Sequence, residues 1–595
     1  MTTKNSLIYL IKKTWRYSEG NRRNVVAYWS MFIIANAMTL ICYPLTIAAI
    51  INTIQQQGIT RENIGYLIVL TLIIPVNELV FWCLHGPARV IERNNAFRAR
   101  AGYRKYLLWG VLTCPMQWHV DHHSGDTIDK VEKGTQSLYA FSSESFQVLL
   151  ASLHFIVGYG MLTYFNPLSS IIVAVMIAIT IAITMQCDKV IINNYKSLNK
   201  AENQISAGVY DIISNITTIV TLRIEKYMFK DMSHMIDEPF PLYQKNSKQI
   251  EVKWFLVSMC CSVMEVAVIV TYLWKNLGLG QVILMGNIFL LLQYLERVRD
   301  VFFRFTNMYG DIIQRKTRML NSEELSTDFR DTTLQNNVLP KTWKTLRVEG
   351  LSFSYHGVDH EDLHLDNLSF TINRGQRIAI VGESGGGKST IFKIMAGLYE
   401  PTKGKIVVDE NYFQNSFSSI CRDIALVPQA PEIFATTIRK NITMGVEASD
   451  EKVIHYSDIA CFTEVARKLP HGFESSIKEK GVNLSVGQQQ RLALARGLFV
   501  CDEQKSIILL DEPTSSLDSN TEYKVYSNIF KEFERTSIIS SIHRLHLLPL
   551  FDIIYVFDQG KIVGSGRIDD LVKSCPKFSE MWANYQRHKG DPDEI

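Results

Sequence analysis

The chain has 595 residues, room for several domains, of which 47% are hydrophobic and 20% charged. A net charge of only +3 with no basic tail argues against a nucleic-acid partner, and ten scattered cysteines without C-x-x-C spacing argue against a zinc site or a disulfide framework. The average conceals two halves: long apolar runs fill the first 310 residues, and the remainder reads as a soluble α/β protein.

Residues 1–24 are basic, with Lys12, Lys13, Arg16, Arg22 and Arg23. The apolar run after them is too long for a signal-peptide core and lacks a small-residue cleavage site, so it is expected to be a membrane span. The same 24 residues are too few for an N-terminal peptidase domain. Six spans are predicted, each near the ~20 residues that cross a bilayer as a helix. They are Val25–Ile51, Ile64–His85, Phe146–Phe165, Leu168–Cys187, Trp254–Trp274 and Gln281–Phe305. Glu296, Arg297 and Arg299 crowd the end of the sixth. Connections are short after spans one, three and five and long after two and four.

The first long connection carries Arg89, Arg93, Arg98, Arg100, Arg104 and Lys105. The positive-inside rule puts it in the cytoplasm with both termini and the second long connection. Ala88–Trp109 and Leu198–Met228 have apolar residues at helical intervals, so they read as extensions of the spans. Each extension is expected to reverse at a short element able to touch the soluble half, at Trp118–Asp126 and Asp211–Thr217. His119, His122 and His123 lie in the first. No acid-and-histidine set with metal spacing accompanies them, and a polar contact surface is expected. Glu78 and Glu265 fall inside predicted spans, where a charge is costly. They either line a polar cavity favouring cationic or hydrogen-bonding cargo, bond between helices, or lie nearer the interface.

Residues 311–345, with Asn321, Ser322, Asn336, Asn337 and Pro340, read as a polar, irregular linker. Residues 346–595 form the second domain. Leu346–Tyr355 alternates like a strand. The Tyr355 ring is either an adenine-stacking face or a core tyrosine. Arg377–Val381 reads as a buried strand and Ser389–Ala396 as a helix. Between them, Gly382, Glu383, Ser384, Gly385, Gly386, Gly387, Lys388 and Ser389 fit the phosphate-cradling P-loop, G-x-x-x-x-G-K-[ST], with Thr390 next on the helix. Loop amides and the helix N-terminus suit nucleotide phosphates. Lys388 is suited to the β- and γ-phosphates and the Ser389 hydroxyl to Mg²⁺.

Ile424–Gln429 reads as a strand ending in an amide that either meets Mg²⁺ and the attacking water or lies on the surface. Ser506–Leu510 is an apolar strand ending in Asp511 and Glu512, at the strand end where open α/β sheets bind ligands. Asp511 suits Mg²⁺, and Glu512 suits a general base for water. Leu484–Gln488 puts small residues before a helix over Gln489–Arg496, an anion-binding arrangement.

Leu484-Ser-Val-Gly-Gln488 resembles the signature motif of ATP-binding cassette proteins, usually L-S-G-G-Q, with Val486 in place of the first glycine. The family's other elements follow the same order. Tyr355 matches the adenine-stacking aromatic, Gln429 the Q-loop, Glu479-Lys-Gly481 the E-x-G loop of exporters, Ser516-Leu-Asp518 the D-loop and His543 the switch histidine. The resemblance covers roughly residues 346–585, and the six spans resemble the exporter-type membrane half.

It implies an all-α six-helix membrane bundle with long cytoplasmic extensions, followed by an α/β P-loop ATPase. It further implies a homodimer that sandwiches ATP and Mg²⁺. One chain contributes Tyr355, Lys388, Ser389, Gln429, Asp511, Glu512 and His543, and the other Ser485, Gly487 and neighbouring Gln488. The expected activity is ATP-driven export of a peptide, a lipid or an amphipathic compound by alternating access across a bacterial inner membrane. Import of a peptide or siderophore-like cargo on the same fold is the alternative.

Overall fold

The computed structural model describes residues 6–122, 124–278, 284–329, 339–340, 342–355, 364–409, 411–413, 417, 420–477, 484–501 and 505–589. The chain divides into two units, one of Met1–Thr113 with His122–Phe329 and one of Cys114–Asp121 with Arg330–Ile595.

The first unit is helical. In chain order it holds α1 (Ser6–Tyr17), α2 (Arg22–Gln57) and α3 (Ile64–Thr113). The short α4 (Met116–Asp121) belongs to the second unit. Then follow α5 (Ser124–Ser143), α6 (Ser145–Phe165), α7 (Pro167–Ser214), α8 (Ile216–Leu222), α9 (Glu225–Asp237), α10 (Phe240–Gly278) and α11 (Met285–Glu324). Among the described residues, α2, α3, α6, α7 and the stretch containing α10 are long and apolar enough to cross a membrane. At 50 and 48 residues, α3 and α7 far exceed the ~20 that a crossing needs. The expected start of the sixth span, Gln281–Ile283, lies outside the described residues. α11 itself carries Glu296, Arg297, Arg299 and Asp300, too much charge for an apolar span.

Two expectations need correction here. Residues 311–324 are not irregular linker but the last turns of α11, because Met319 and Ser322 are fully buried on one helical face. The reversal elements lie at 116–121 and 216–222, a few residues from where they were expected. His119 lies in α4, which ends at Asp121, and His123 is outside the described residues.

Buried charges in this unit have partners that position helices. Glu92 of α3 is fully buried and pairs with Arg89. It also accepts hydrogen bonds from Ser145 Oγ (2.7 Å) and the Phe146 amide (2.9 Å), where α6 begins. A carboxylate there meets both free amides and the positive end of the helix dipole. Glu92→Ala is expected to cost about 3–5 kcal/mol, because Arg89, the Ser145 hydroxyl and the Phe146 amide lose their counterpart. A fall in the thermal unfolding midpoint of the purified protein in detergent checks this, and an unchanged midpoint contradicts it. Asp188 of α7 and Lys253 of α10 form another buried pair at 3.0 Å. Glu265 takes the helix-to-helix course, meeting Arg299 at 2.8 Å, whereas Glu78 accepts from Trp82 Nε1 on its own helix.

The second unit is α/β. Its strands are β1 (Thr345–Phe353), β2 (Leu365–Asn373), β3 (Arg377–Gly382), β4 (Lys403–Val408), β5 (Asn411–Phe413), β6 (Ile424–Val427), β7 (Ile507–Asp511), β8 (Ser537–Ser541), β9 (Ile553–Asp558) and β10 (Lys561–Gly566). Its remaining helices are α12 (Lys388–Met395), α13 (Ile438–Thr443), α14 (Asp450–Ile459), α15 (Thr463–Arg467), α16 (Val486–Cys501), α17 (Ser519–Glu532), α18 (Ile568–Ser574) and α19 (Pro576–Lys589).

The larger sheet has the order β10-β9-β3-β8-β7-β6, parallel except for β10 at its edge. A smaller antiparallel sheet runs β2-β1-β4-β5. Every residue of β7 is buried. Ile508 and Leu510 enter one core, Ile507 and Leu509 the other, as alternation in a strand covered on both faces requires. Pairing of Asp511 with Ser541 and of Ile380 with Ser541 brings the ends of β3, β7 and β8 to one edge.

Candidate functional site

That edge gathers the P-loop, Asp511, Glu512 and the residues after β8. Gly382 ends β3 with φ +154°, and a Cβ there would lie 2.2 Å from the Phe557 carbonyl oxygen of β9. Only glycine allows so close an approach. Gly387, at φ +97°, caps α12 and lets Lys388 enter the helix. Lys388 is buried, and its Nζ donates to the carbonyls of Gly382 (2.8 Å) and Glu383 (2.9 Å). Burial lowers its proton affinity; Glu512 and Asp511 oppose that shift and favour the ammonium. The ammonium thus closes on its own loop, at the mouth where phosphate would compete for it.

Asp511 is buried and accepts from Ser541 Oγ at 2.9 Å. The same Ser541 oxygen accepts from the Glu512 amide at 2.9 Å. Glu512 sits at φ +47°, a left-handed conformation uncommon for a side chain of this kind. That turn aims its carboxylate away from β7. There Gln429 Nε2 lies 2.7 Å from one carboxylate oxygen and His543 Nε2 lies 2.7 Å from the other. Two residues from distant parts of the chain therefore converge on one carboxylate. Such an arrangement can hold a water and take its proton. Ser389, Gln429 and Asp511 offer hydroxyl, amide and carboxylate oxygens, the hard donors that suit Mg²⁺.

Tyr355 follows β1. Its hydroxyl donates to Thr390 Oγ1 on α12 at 3.3 Å. Its ring meets Phe353, His364 and Tyr399 edge-on at 4.8–5.2 Å. It stands next to the P-loop helix, within an aromatic group rather than alone.

The signature residues do not join this constellation within the chain. α16 starts at Val486, earlier than the expected helix, so the motif is its first turn. Ser485 Oγ accepts from the Gln488 amide (3.3 Å), and Gln488 Oε1 accepts from the Ser485 amide (2.9 Å). This reciprocal cap leaves Ser485 and Val486 exposed. Glu479-Lys-Gly481 lies outside the described residues.

Sequence reasoning missed several supporting residues. Gln490 is buried; it donates to Ser515 Oγ (2.8 Å) and accepts from the Ser516 amide (2.9 Å). Arg544 donates to the Leu517 carbonyl at 2.5 Å and lies 3.3 Å from the buried carboxylate of Glu522, which also accepts from Thr514 at 2.7 Å. The loop Thr514–Leu517 is thus fastened on both sides. Lys577 of α19 pairs with Glu383 of the P-loop at 2.6 Å. The one available signal was proximity in sequence to Gln488 and His543; nothing pointed to Lys577.

The family described as "ABC transporter transmembrane region" matches residues 26–295, and that described as "ABC transporter" matches residues 365–515. A mitochondrial iron–sulfur clusters transporter of Chaetomium globosum is 26% identical over 490 residues, covering 79% of this chain and 78% of its own. The ABC transporter B family member 6 of Dictyostelium discoideum is 29% identical over 511 residues, covering 80% and 72%. A solved bacterial Atm1-family ABC exporter with ATP bound shares the fold, with a TM-score of 0.83 at 21% identity over 95% of this chain and 99% of that one.

Proposed function

The chain belongs to the ATP-binding cassette transporters as an exporter-type half-transporter, one membrane region and one ATPase domain in a single polypeptide, and from that premise we propose that two copies close over two ATP molecules to move cargo outward. It is a multi-pass membrane protein that binds and hydrolyses ATP to drive transport. The observation that carries the mechanism is the convergence of Gln429 and His543 on the two oxygens of Glu512.

In this reading the P-loop amides and Lys388 hold the phosphates. Lys388 then exchanges its two carbonyl acceptors for phosphate oxygens. Ser389, Gln429 and Asp511 would hold Mg²⁺, which when bound neutralises charge between the β- and γ-phosphates. Glu512 takes a proton from water as the water oxygen bonds to the γ-phosphorus and the bond to the bridging oxygen breaks. His543 holds the carboxylate and the γ-phosphate in register. Ser485 and Gly487 of the second copy close the site, so ATP favours the closed pair and its hydrolysis releases it. Exposure of Ser485 and Val486 supports this, since the first turn of α16 is free to meet another molecule.

Tyr355 is proposed to stack on adenine. Tyr355→Ala is expected to weaken ATP binding about tenfold, the lower range of a lost base–aromatic stack worth ~1–3 kcal/mol. Tyr355→Phe keeps the ring, loses only the hydroxyl contact with Thr390, and should bind within about threefold of wild type. Equilibrium binding of a fluorescent ATP analogue separates the two, and equal affinities for all three proteins would remove Tyr355 from the site.

The proposed cargo is a peptide, a lipid or another amphipathic compound, and the proposed location is a bacterial inner membrane with the ATPase domain in the cytoplasm. Direction is tested with inside-out and right-side-out vesicles. ATP-dependent accumulation in inside-out vesicles supports export; accumulation only in the opposite orientation assigns the chain to import.

A further inference from the structure

We propose that His154 of α6 with Arg297 and Arg304 of α11 forms an anion subsite inside the membrane unit, taking the acidic head of an amphipathic cargo; this rests on the transport reading above. His154 is 5% exposed, and its Nδ1 has no hydrogen-bond partner among the described residues. The Nε atoms of Arg297 and Arg304 are also buried and without partners. Both guanidiniums act electrostatically on His154, and so does one acid, Asp300. Residues 297 and 304 are two helical turns apart and share a face of α11. A Cβ on Gly158, one turn beyond His154, would lie 3.5 Å from Arg297 Cβ and 3.3 Å from Val298 Cγ2. The two helices therefore nearly touch here, and the cluster lies along their seam.

Charge matching elsewhere in the unit makes the cluster unusual. Asp188 pairs with Lys253, and Arg299 is met by Glu265 and Glu296. In the cluster, the charged groups that act on His154 among the described residues are two guanidiniums and one carboxylate. An ionised group inside a membrane bundle is costly and normally has a counterpart. Here buried donors lack acceptors, which a carboxylate or phosphate would supply.

The same two helices border a largely apolar cavity of about 530 Å³, whose walls are their neighbouring residues rather than the cluster's own side chains. Its walls include Ser152 and Phe155 of α6 and Val301 and Phe305 of α11, chain neighbours of His154, Asp300 and Arg304. An apolar chamber next to a few convergent polar groups is the usual form of a small-molecule site. An acid with a hydrocarbon tail satisfies both parts. A cationic amphiphile meets repulsion, and a neutral one leaves the donors unsatisfied.

The test measures binding without nucleotide, using the full chain in phosphatidylcholine nanodiscs. The probes are dodecyl phosphate, dodecanoate, dodecyl maltoside and dodecyltrimethylammonium. The two anions are expected to bind at least about tenfold more tightly than the other two, the scale of a hydrogen bond to a charged group. R297Q/R304Q is expected to erase that preference and R297K/R304K to keep most of it. If R297Q/R304Q does not fold, H154Q takes its place and should narrow the preference. Phosphatidate added to the discs displaces the soluble probe if the natural acid comes from the bilayer, and leaves it bound if the acid is a free solute. The proposal is overturned if the wild type shows no anion preference or if the preference survives in R297Q/R304Q. It is also overturned if cysteines at Ser152 and Phe305 crosslink to a second copy whether or not probe is present, since the partner then fills the cavity. Because no ATP is used, this result stands apart from the vesicle measurement of transport.

Discussion

Glu512→Gln is expected to lower ATP turnover about a thousandfold, within the ~10²–10⁴ range of a lost general base, while ATP still binds. The substitution is nearly isosteric. Glutamine at 512 can still meet Gln429 and His543, which now lie 2.7 Å from the two carboxylate oxygens. The backbone, at φ +47°, need not change. What disappears is the basic carboxylate oxygen that takes the proton of water. A site that closes but cannot cleave should hold the pair of chains together, so the ATP-bound dimer accumulates. Phosphate release and crosslinking between the ATPase domains read the two effects separately. Wild-type turnover would take Glu512 out of the role of base; slow turnover without an accumulating dimer would deny that ATP closes the pair.

The second large effect is expected from Gly487→Asp. Position 487 is in the first turn of α16, where, in the proposed closed pair, a carboxylate would face the γ-phosphate held by the other copy. The added Cβ is also tight in its own chain, 3.0 Å from the Ser516 carbonyl oxygen and 3.3 Å from Leu517 Cδ2. Hydrolysis should fall by about two orders of magnitude or more, on the scale of losing a donor that stabilises developing charge. ATP binding to the open chain should persist, because none of Tyr355, Lys388 or Asp511 is touched.

A mixed dimer separates a lesion in trans from a local one. Pairing a Lys388→Ala chain with a Gly487→Asp chain puts both lesions in the same composite site if the motif serves the opposite copy. The other site is then whole, and the mixed dimer hydrolyses faster than either parent homodimer. If the motif serves its own chain, both sites are broken and the mixed dimer is as slow as its parents.

Much of the ATPase site was legible because its chemistry is written in short runs of chain. Gly382–Ser389 declares a strand, a turn and a helix within a few residues, and Asp511–Glu512 follows the unbroken apolar run Ile507–Leu510. Gln490, Arg544 and Lys577 were not legible. Their roles depend on which loops tertiary packing brings beside them, and no local pattern records that a glutamine two residues past the signature will grip Ser515 and Ser516. Helix ends were displaced for the same reason. α11 runs on to Glu324 because Met319 and Ser322 find a buried seat, although the polar residues around them suggested a linker. The charges of α11 were visible but not their pairing. Arg299 finds Glu265 across two helices, and Arg297 Nε finds no such match among the described residues.

The backbone at Glu512 limits what any mutational library can report. A branched aliphatic residue forced to φ +47° resists the turn itself, so a dead Ile or Val variant says nothing about proton transfer. Asp and Asn accept that geometry readily. A lineage that lets this fuel site fall silent should therefore drift toward those two residues at this position, keeping the shape of the turn after its chemistry is gone.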